Sequence, residues 1–229
     1  MKVKNYLILL ICLCCSAVFE CHAFHRLENK VAIVTGGSKG IGKAISKLFA
    51  DEGAQVIVVS RTEAELREIV MEILNNGGSA SYFVADITQP EEMKKMAEYA
   101  IAKHGRIDIL AHNAAGIYPP ARIESMTNEE WLEAINTNLN GTFYAVKAVI
   151  PTMKKQQYGR IVFTSSISGP QVGLPTKSHY TASKGGMNGF MKTIAIELAK
   201  DHITVNAVEP GNIMTEGLKV NSPEAGLFD

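Results

Sequence analysis

The chain has 229 residues, of which 46% are hydrophobic and 20% are charged, and its formal net charge is +0. This length and apolar content suit one α/β domain of ordinary size with a large buried core. The balanced charge and the lack of a lysine or arginine stripe argue against nucleic-acid binding.

The first 24 residues form a segment that differs from the domain expected at residues 25–229. A short basic start is followed by an almost entirely apolar stretch at residues 6–19 and a small-residue cleavage site at residues 21–23. This order predicts a signal peptide, because the apolar stretch is short for a membrane span. An uncleaved membrane anchor and an upstream start codon are the alternatives.

All four cysteines lie in this first segment, at Cys12, Cys14, Cys15 and Cys21. The domain itself therefore contains no thiol, and neither a disulfide framework nor a cysteine metal site is expected in it. The six histidines lack the spacing of metal ligands, so no metal is predicted.

The domain begins with a short apolar run at residues 31–34, which is typical of a strand buried on both faces. Gly36, Gly40 and Gly42 follow it and allow a tight turn that a ligand can approach closely. A helix starts at this turn, and its N-terminal N–H groups favour an anion such as a pyrophosphate. A purely structural turn is the alternative.

Strands and helices then alternate along the whole domain. Buried strands are predicted at residues 55–60, 81–86, 106–111, 159–166 and 203–208. Capping boxes at residues 62–65, 88–91 and 127–130 are predicted to open helices, the last of which runs toward Pro151. A further helix is expected at about residues 178–200. Such alternation builds a doubly wound parallel sheet, in which ligands bind beyond the carboxyl ends of the strands.

Tyr180 and Lys184 lie four residues apart on the last of these helices and therefore share one face. A phenol is ordinarily too weak an acid for chemistry near neutrality, and a nearby lysine cation stabilises its phenolate form. Tyr180 is therefore a candidate general acid or base. The alternative is a half-buried tyrosine beside a solvated lysine.

Two further polar residues support a site near this helix. Ser166 ends the preceding strand and can bring its hydroxyl over the same crevice. Asn138 lies inside the long helix among other asparagines and a glycine, which are poor helix formers. We therefore expect a helix distortion or a bound water at Asn138, with a solvent-facing patch as the alternative.

These features together resemble the short-chain dehydrogenase/reductase family, from about Leu27 to Leu218. The resemblance is carried by Thr35-Gly-Gly-Ser-Lys-Gly-Ile-Gly42, Asp86, Asn113-Ala-Ala115, Asn138-Leu-Asn-Gly141, Ser166, Tyr180-Thr-Ala-Ser-Lys184, and Pro210-Gly211 with Thr215. Within the family the chain is most similar to bacterial 3-oxoacyl-carrier-protein reductases and UcpA-like oxidoreductases. The resemblance implies a single Rossmann-type domain that reversibly reduces a carbonyl to an alcohol, with a 3-oxoacyl thioester or a similar ketone as the expected substrate.

The resemblance also implies the role of each catalytic residue. Tyr180 would protonate the carbonyl oxygen during reduction, and Ser166 would hydrogen-bond that oxygen. Lys184 would support Tyr180 and hold the nicotinamide ribose, while Asn138 would hold a water that links Lys184 to solvent. Tyr118, Gln171, Leu174 and Ile117 are expected to line the substrate pocket.

Cofactor contacts are implied in the same way. Asp86 would hold the adenine amino group, Asn113 and Ala114 would line the cleft, and Ile213 and Thr215 would hold the carboxamide. The remaining expected contacts come from the glycine turn, the strand ends and the catalytic helix: Gly36, Ser38, Lys39, Gly40, Ile41, Gly42, Ser60, Arg61, Ile87, Tyr180, Lys184, Pro210 and Gly211.

The residues at the adenosine end predict which nicotinamide cofactor is used. Sites for NAD usually place an acidic residue at the end of the second strand, where it binds the ribose 2′-hydroxyl. Ser60 and Arg61 occupy that position here, and Lys39 projects from the glycine turn. Two cations and a hydroxyl suit a 2′-phosphate, so NADP(H) is predicted over NAD(H). A solvated Arg61 that ends the strand is the alternative.

The sequence departs from the family pattern at two places. His112 and Ala115 stand where the family usually has asparagine and glycine, and we expect a small effect from both. The chain also stops at Asp229, within the lid, so the family's last helix and seventh strand are expected to be absent. A truncated, poorly active nucleotide-binding remnant is therefore the alternative to an active enzyme.

Partners and location follow from the same resemblance. The helices at residues 127–155 and 178–200 are expected to pair two copies into a homodimer, and residues 6–19 could associate with a membrane. Because reduced nicotinamide cofactors are chiefly intracellular, a cytoplasmic or cytosol-facing enzyme is favoured, with export through the N-terminal segment as the alternative.

Overall fold

The structure is a computed structural model that describes residues 25–116 and 118–215. The predicted signal-like segment, with the apolar stretch expected to contact a membrane, lies outside the described residues, as does the chain after residue 215. Within the described ranges, no helix combines the length and the apolar character needed to cross a bilayer.

Six strands and six α-helices alternate along the described chain. The strands are β1 (Val31–Thr35), β2 (Gln55–Ser60), β3 (Ser79–Val84), β4 (Ile109–His112), β5 (Gly159–Thr164) and β6 (Ile203–Val208). The helices are α1 (Gly40–Asp51), α2 (Glu63–Asn75), α3 (Pro90–His104), α4 (Asn128–Ile135), α5 (Gly141–Gln156) and α6 (Ser178–Leu198).

The strands form one parallel sheet in the order β3-β2-β1-β4-β5-β6, which confirms the predicted doubly wound architecture. The strand order reverses between β1 and β4, so the loops after these two strands leave the sheet in opposite directions. A crevice opens between the two loops, and this is where ligands bind in such folds.

Helices cover both faces of the sheet, because the central strands are apolar on both sides. One face packs against α3, α5 and α6 through side chains such as Met96, Val149 and Met187. The other packs against α1 and α2 through residues such as Leu66 and Ile69. The two layers bury the central strands, so only the strand ends are open to a ligand.

The observed ends of the strands differ from the predicted ends at several positions. The bounds of β2 and β6 are as predicted, whereas β3 begins and ends two residues early, so Asp86 follows the strand. β4 begins only at Ile109, and the Asp108 carboxylate before it accepts from the Arg106 side chain at 2.6 and 2.7 Å. β5 ends at Thr164, so Ser166 belongs to the loop that follows the sheet.

Only one of the three predicted capping boxes forms. Thr127 and Glu130 exchange side-chain hydrogen bonds with each other's backbone N–H groups, at 3.1 and 2.8 Å. The prediction at residues 62–65 is wrong, since Thr62 makes no side-chain cap. The prediction at residues 88–91 is also wrong, because the Thr88 hydroxyl donates to Asp86 and α3 begins later.

The predicted long helix after residue 127 is distorted, as expected. A five-residue π-helical segment, Asn136–Asn140, separates α4 from α5. Asn138 is fully buried within it, so a solvent-facing patch at Asn138 is the wrong alternative. The following helix continues through Pro151 to Gln156, which agrees with the predicted range of 127–155. A π-segment of this kind is frequent at functional sites.

β6 has β5 as its sole neighbour within the described part of the chain. Ile203 and Val205 are buried while Thr204 and Asn206 are exposed, so the strand is covered on one face only. The expectation about a last helix and a seventh strand concerns the chain after residue 215, which the structure does not describe.

Candidate active site

The loop after β1 forms a turn that admits only glycine at its closest point. Gly36 has a φ of +62°, and a Cβ atom at Gly42 would lie 2.0 Å from the Gly36 carbonyl oxygen. The Asn113 side chain closes the turn from β4 by donating to that oxygen at 3.2 Å. Because α1 begins at Gly40, its N-terminus opens at this cradle, which suits a pyrophosphate.

A cluster of hydrogen bonds at Thr35 holds the end of β4 beside the glycine turn. The Thr35 hydroxyl accepts from the backbone N–H groups of Asn113 and Ala114, at 3.2 and 3.3 Å. It also lies 2.9 Å from His112 Nδ1. Since two donors already fill the acceptor positions of this hydroxyl, its own proton is donated to Nδ1 of a neutral His112.

His112 is 1% exposed, and its Nε2 has no hydrogen-bond partner in the described structure. Burial lowers the pKa of His112 to about 3, and the positive charge of Lys184 acts in the same direction. The ring therefore stays neutral at physiological pH and is a structural part of the carboxyl end of β4.

The adenosine end of the crevice is formed by the ends of β2 and β3. Ser60 Oγ is buried and lacks a hydrogen-bond partner among the described residues, while the neighbouring Arg61 is exposed. The Asp86 carboxylate accepts from the backbone N–H and the hydroxyl of Thr88, at 2.9 and 2.8 Å. Ile87 is buried against Gly141 of α5. These contacts hold Asp86 and Ile87 at the adenosine end of the crevice.

Lys184 is the most unusual side chain of the site, because it is 2% exposed. Its Nζ donates to the backbone carbonyl of Thr164 at 2.7 Å and lies 5.8 Å from the ring centroid of Tyr180. Burial lowers the pKa of Lys184 to about 8. A solvated lysine is therefore the wrong alternative for this position.

Asn138 connects α6 to the loop after β4. Its side-chain oxygen accepts from the Gly116 N–H at 2.9 Å, and its amide donates to Ser183 Oγ at 3.1 Å. Ser183 in turn donates to the Tyr180 carbonyl at 2.7 Å, so Asn138 supports the turn of α6 that carries Tyr180. The Asn138 carbonyl accepts from the Thr142 hydroxyl at 2.5 Å.

Ser166 follows β5 directly and is 8% exposed. Its hydroxyl accepts from the Ser168 N–H at 3.1 Å, which holds the side chain at the carboxyl end of the strand. Thr164, two residues earlier, binds Lys184. Tyr180 thus lies beside Lys184 and is linked to Asn138 through Ser183, and Ser166 lies at the strand end that carries Thr164.

The segment after β6 returns to the glycine turn. The Ile167 N–H donates to the Pro210 carbonyl at 3.1 Å, which ties this segment to the loop after β5. The Thr215 side chain packs over Gly40, where an added Cβ would lie 3.4 Å from its methyl group. Several expected cofactor residues line the resulting apolar groove together: Gly40, Ile41, Pro210, Ile213 and Thr215. Gly211 lies in the same segment and is exposed.

The expected substrate side of the site is only partly open. Tyr118 is 7% exposed; its hydroxyl donates to the Glu133 carbonyl, and Lys177 donates to the Tyr118 carbonyl. Gln171 and Leu174 are exposed on the loop after β5, and Ile117 lies outside the described residues.

Two acidic residues of the site were not anticipated as such. Glu65 was expected to cap α2, but it accepts from the hydroxyl of Ser38 at 3.2 Å and pairs with Lys39 Nζ at 2.7 Å. Glu209 accepts from the side chains of Asn188 and Gln171 and thereby joins α6 to the loop after β5. Neither contact leaves a periodic signal, because the partners are far apart in sequence.

The residues present fit a nicotinamide dinucleotide. A glycine cradle that leaves no room for a side chain lies at a helix N-terminus, and an unpartnered buried hydroxyl, Ser60 Oγ, lies at the end of the adjacent strand. The first suits the pyrophosphate, and the second suits a polar group of the adenosine ribose.

Comparisons with known proteins agree with this geometry. The family model for short chain dehydrogenase matches residues 30–225. A 3-oxoacyl-[acyl-carrier-protein] reductase of Thermotoga maritima is 42% identical over 205 residues, which cover 88% of this chain and 82% of that protein. The corresponding reductase of Synechocystis sp. is 40% identical over 191 residues, covering 83% and 76% of the two chains. The crystal structure of gox2181 superposes with a TM-score of 0.86 and 35% sequence identity, covering 90% of this chain and 80% of that one.

Proposed function

The chain belongs to the short-chain dehydrogenase family and is a nicotinamide-dependent oxidoreductase, and from this premise we propose that it reversibly reduces a carbonyl to an alcohol with NADPH. The expected substrate is a 3-oxoacyl thioester or a similar ketone, because the relatives are named as reductases of that class. The observation that carries the proposal is the buried Lys184, held by the Thr164 carbonyl beside the ring of Tyr180.

In the proposed mechanism the protein positions the substrate and moves one proton. The bound cofactor supplies the hydride. Tyr180 donates its phenolic proton to the carbonyl oxygen, which Ser166 holds by a hydrogen bond. Lys184 stabilises the phenolate that remains and, with its pKa lowered to about 8 by burial, can exchange a proton near neutral pH. Asn138 keeps the turn of α6 that carries Tyr180 in place.

NADP(H) is the proposed cofactor rather than NAD(H). No acidic side chain ends β2, where Ser60 and Arg61 lie instead. An exposed guanidinium and a buried hydroxyl suit a 2′-phosphate, because an arginine can make paired hydrogen bonds to phosphate oxygens.

A homodimer and an intracellular location complete the proposal. The helical layer formed by α4, α5 and α6 exposes Trp131, Leu132, Phe143 and Ile196. Such apolar side chains on neighbouring helices support pairing with a second copy. The location is proposed because the reduced cofactor is chiefly intracellular.

Turnover of the purified chain tests the proposal, with NADPH oxidation followed in the presence of an acetoacetyl thioester. Loss of the proton donor in Tyr180→Phe is expected to lower the turnover rate by a factor of about 100 or more, while NADPH still binds. Tyr99→Phe is the matched control, because it removes the same hydroxyl from a tyrosine that is not part of the proposed site. The Tyr99 ring packs against Phe83 of β3. Equal turnover of Tyr180→Phe and the control would show that Tyr180 is not the acid.

A further inference from the structure

We propose that Glu65 sets how strongly this protein distinguishes NADP(H) from NAD(H), by competing with the 2′-phosphate for Lys39 and Ser38. The inference rests on the proposed NADP(H) site at the adenosine end of the crevice. It assigns to Glu65 a role in cofactor specificity.

Glu65 lies on the first turn of α2, directly after the end of β2 that carries Ser60 and Arg61. Its two carboxylate oxygens contact different residues of the glycine turn: Oε1 pairs with Lys39 Nζ at 2.7 Å, and Oε2 accepts from Ser38 Oγ at 3.2 Å. The Glu65 side chain is 28% exposed and that of Lys39 is 71% exposed. A carboxylate therefore already neutralises one of the two cations of the predicted phosphate site.

The contacts of Glu65 differ from those that its position in the helix favours. Thr62 and Glu65 have the spacing of a capping box, yet Thr62 makes no side-chain cap and Glu65 points to the glycine turn. The same pattern forms a complete box at Thr127 and Glu130. A Glu65 that leaves Lys39 can therefore bind the N-terminal N–H groups of α2, where a negative charge is favourable.

The two cofactors make different demands on this pair. A 2′-phosphate carries up to two negative charges and needs Lys39, so it must displace Glu65 or be repelled by it. A ribose 2′-hydroxyl is neutral and can donate to the carboxylate while the ion pair stays intact. Arg61 has no ion pair in the described part of the chain and remains available to either cofactor. Glu65 therefore weakens the binding of NADPH selectively.

Binding measurements on the cofactor-free protein test this role without relying on turnover. Glu65→Gln keeps an oxygen that can accept from Lys39 and Ser38 but removes the charge. We expect it to tighten NADPH about five-fold at low salt while leaving NADH unchanged, as for one partly exposed charge pair. 2′-AMP and 5′-AMP should show the same contrast, and about 0.5 M salt should reduce the gain.

The control variant is Glu72→Gln. Glu72 joins α2 to α1 through Lys43 and Lys47, at 3.0 and 2.5 Å, and lies further from the glycine turn than Glu65. Glu72→Gln removes two ion pairs, whereas Glu65→Gln removes one, and it is expected to leave the ratio of NADPH to NADH affinity unchanged. In a Lys39→Ala background, Glu65→Gln is expected to give a smaller gain, because the competition for Lys39 no longer exists.

The outcomes distinguish this inference from the proposed cofactor choice. An unchanged affinity ratio in Glu65→Gln, or an equal change in Glu72→Gln, would overturn the role of Glu65 even if the wild type prefers NADPH. A wild type that prefers NADH, with Arg61→Ala leaving NADPH affinity unchanged, would overturn the cofactor choice. In that case a tighter NADPH complex of Glu65→Gln would still support the role of Glu65.

Discussion

Two buried titratable side chains, His112 and Lys184, lie beside the crevice, and their burial makes the stability of the protein depend on pH. Both are at most 2% exposed, and burial lowers the pKa of each. A lowered pKa means that the folded state binds the proton less readily than the unfolded state. His112 and Lys184 are therefore each expected to contribute to the pH dependence of unfolding.

His112 is expected to make the protein sensitive to mild acid. Its pKa is about 3 when folded, against 6.5 as the ordinary value, so below 6.5 the unfolded state binds a proton that the folded state excludes. Stability should fall as the pH drops through this range, by about 2 kcal/mol near pH 5. His112→Asn is expected to remove this loss in urea unfolding at about pH 8 and pH 5.

The control for this measurement is His202→Asn. His202 is exposed and has a φ of 57°, a conformation that asparagine tolerates. If His112→Asn and His202→Asn lose stability equally in acid, His112 is not the group responsible.

Lys184 is expected to act at the opposite end of the pH scale. Its pKa is about 8 when folded and 10.5 ordinarily, so the unfolded state binds more protons between these values. The free energy of unfolding should therefore rise with pH across this range, by about 3 kcal/mol as an upper bound. Lys184→Met is expected to abolish both this rise and carbonyl reduction, whereas an unchanged slope in the variant would contradict the assignment.

At the scale of single elements, identical capping patterns have different outcomes. Thr127 caps α4 with a hydrogen bond from the Glu130 N–H, whereas the side chain of Thr62 caps nothing. Thr127→Ala is therefore expected to lower the free energy of unfolding by about 1 kcal/mol, and Thr62→Ala by much less. Chemical denaturation of the two variants provides an internal comparison, and equal losses would contradict the observed caps.

The π-segment departs from regular helix geometry and places Asn138 where it can hydrogen-bond two other parts of the site. Asn138 sits in its centre and hydrogen-bonds both Gly116 and Ser183, which belong to different parts of the chain. The poor helix formers around Asn138 predicted the distortion correctly, but not the residues to which Asn138 would bind.

At the scale of the whole molecule, the proposed dimer can be tested through its exposed apolar residues. Ile196 on α6 is 80% exposed, while Ile123 is 71% exposed before α4 and outside the proposed interface. Ile196→Lys is expected to dissociate a dimer at micromolar concentration in analytical ultracentrifugation, since it places a charge in an apolar contact. Ile123→Lys is expected to remain dimeric. A monomeric wild type would refute the proposal.

The order of strands and helices could be predicted because it depends on local patterns. Continuous apolar runs mark strands that are buried on both faces, and β2 and β6 have the bounds that these runs predict. The spacing of Tyr180 and Lys184 places them on one face of the helix that their segment forms. Alternation of strand and helix then leaves a doubly wound sheet as the simplest arrangement, and its carboxyl edge as the site.

The tertiary structure alone decided which partner each polar side chain takes. Lys184 could have been solvated, but packing against β5 buries it on the Thr164 carbonyl. Glu65 could have capped its own helix, but the glycine turn offers Ser38 and Lys39 instead. Local sequence determines which side chains are able to form a hydrogen bond or ion pair. The choice among competing partners depends on distances and burial that exist only after distant segments have packed together.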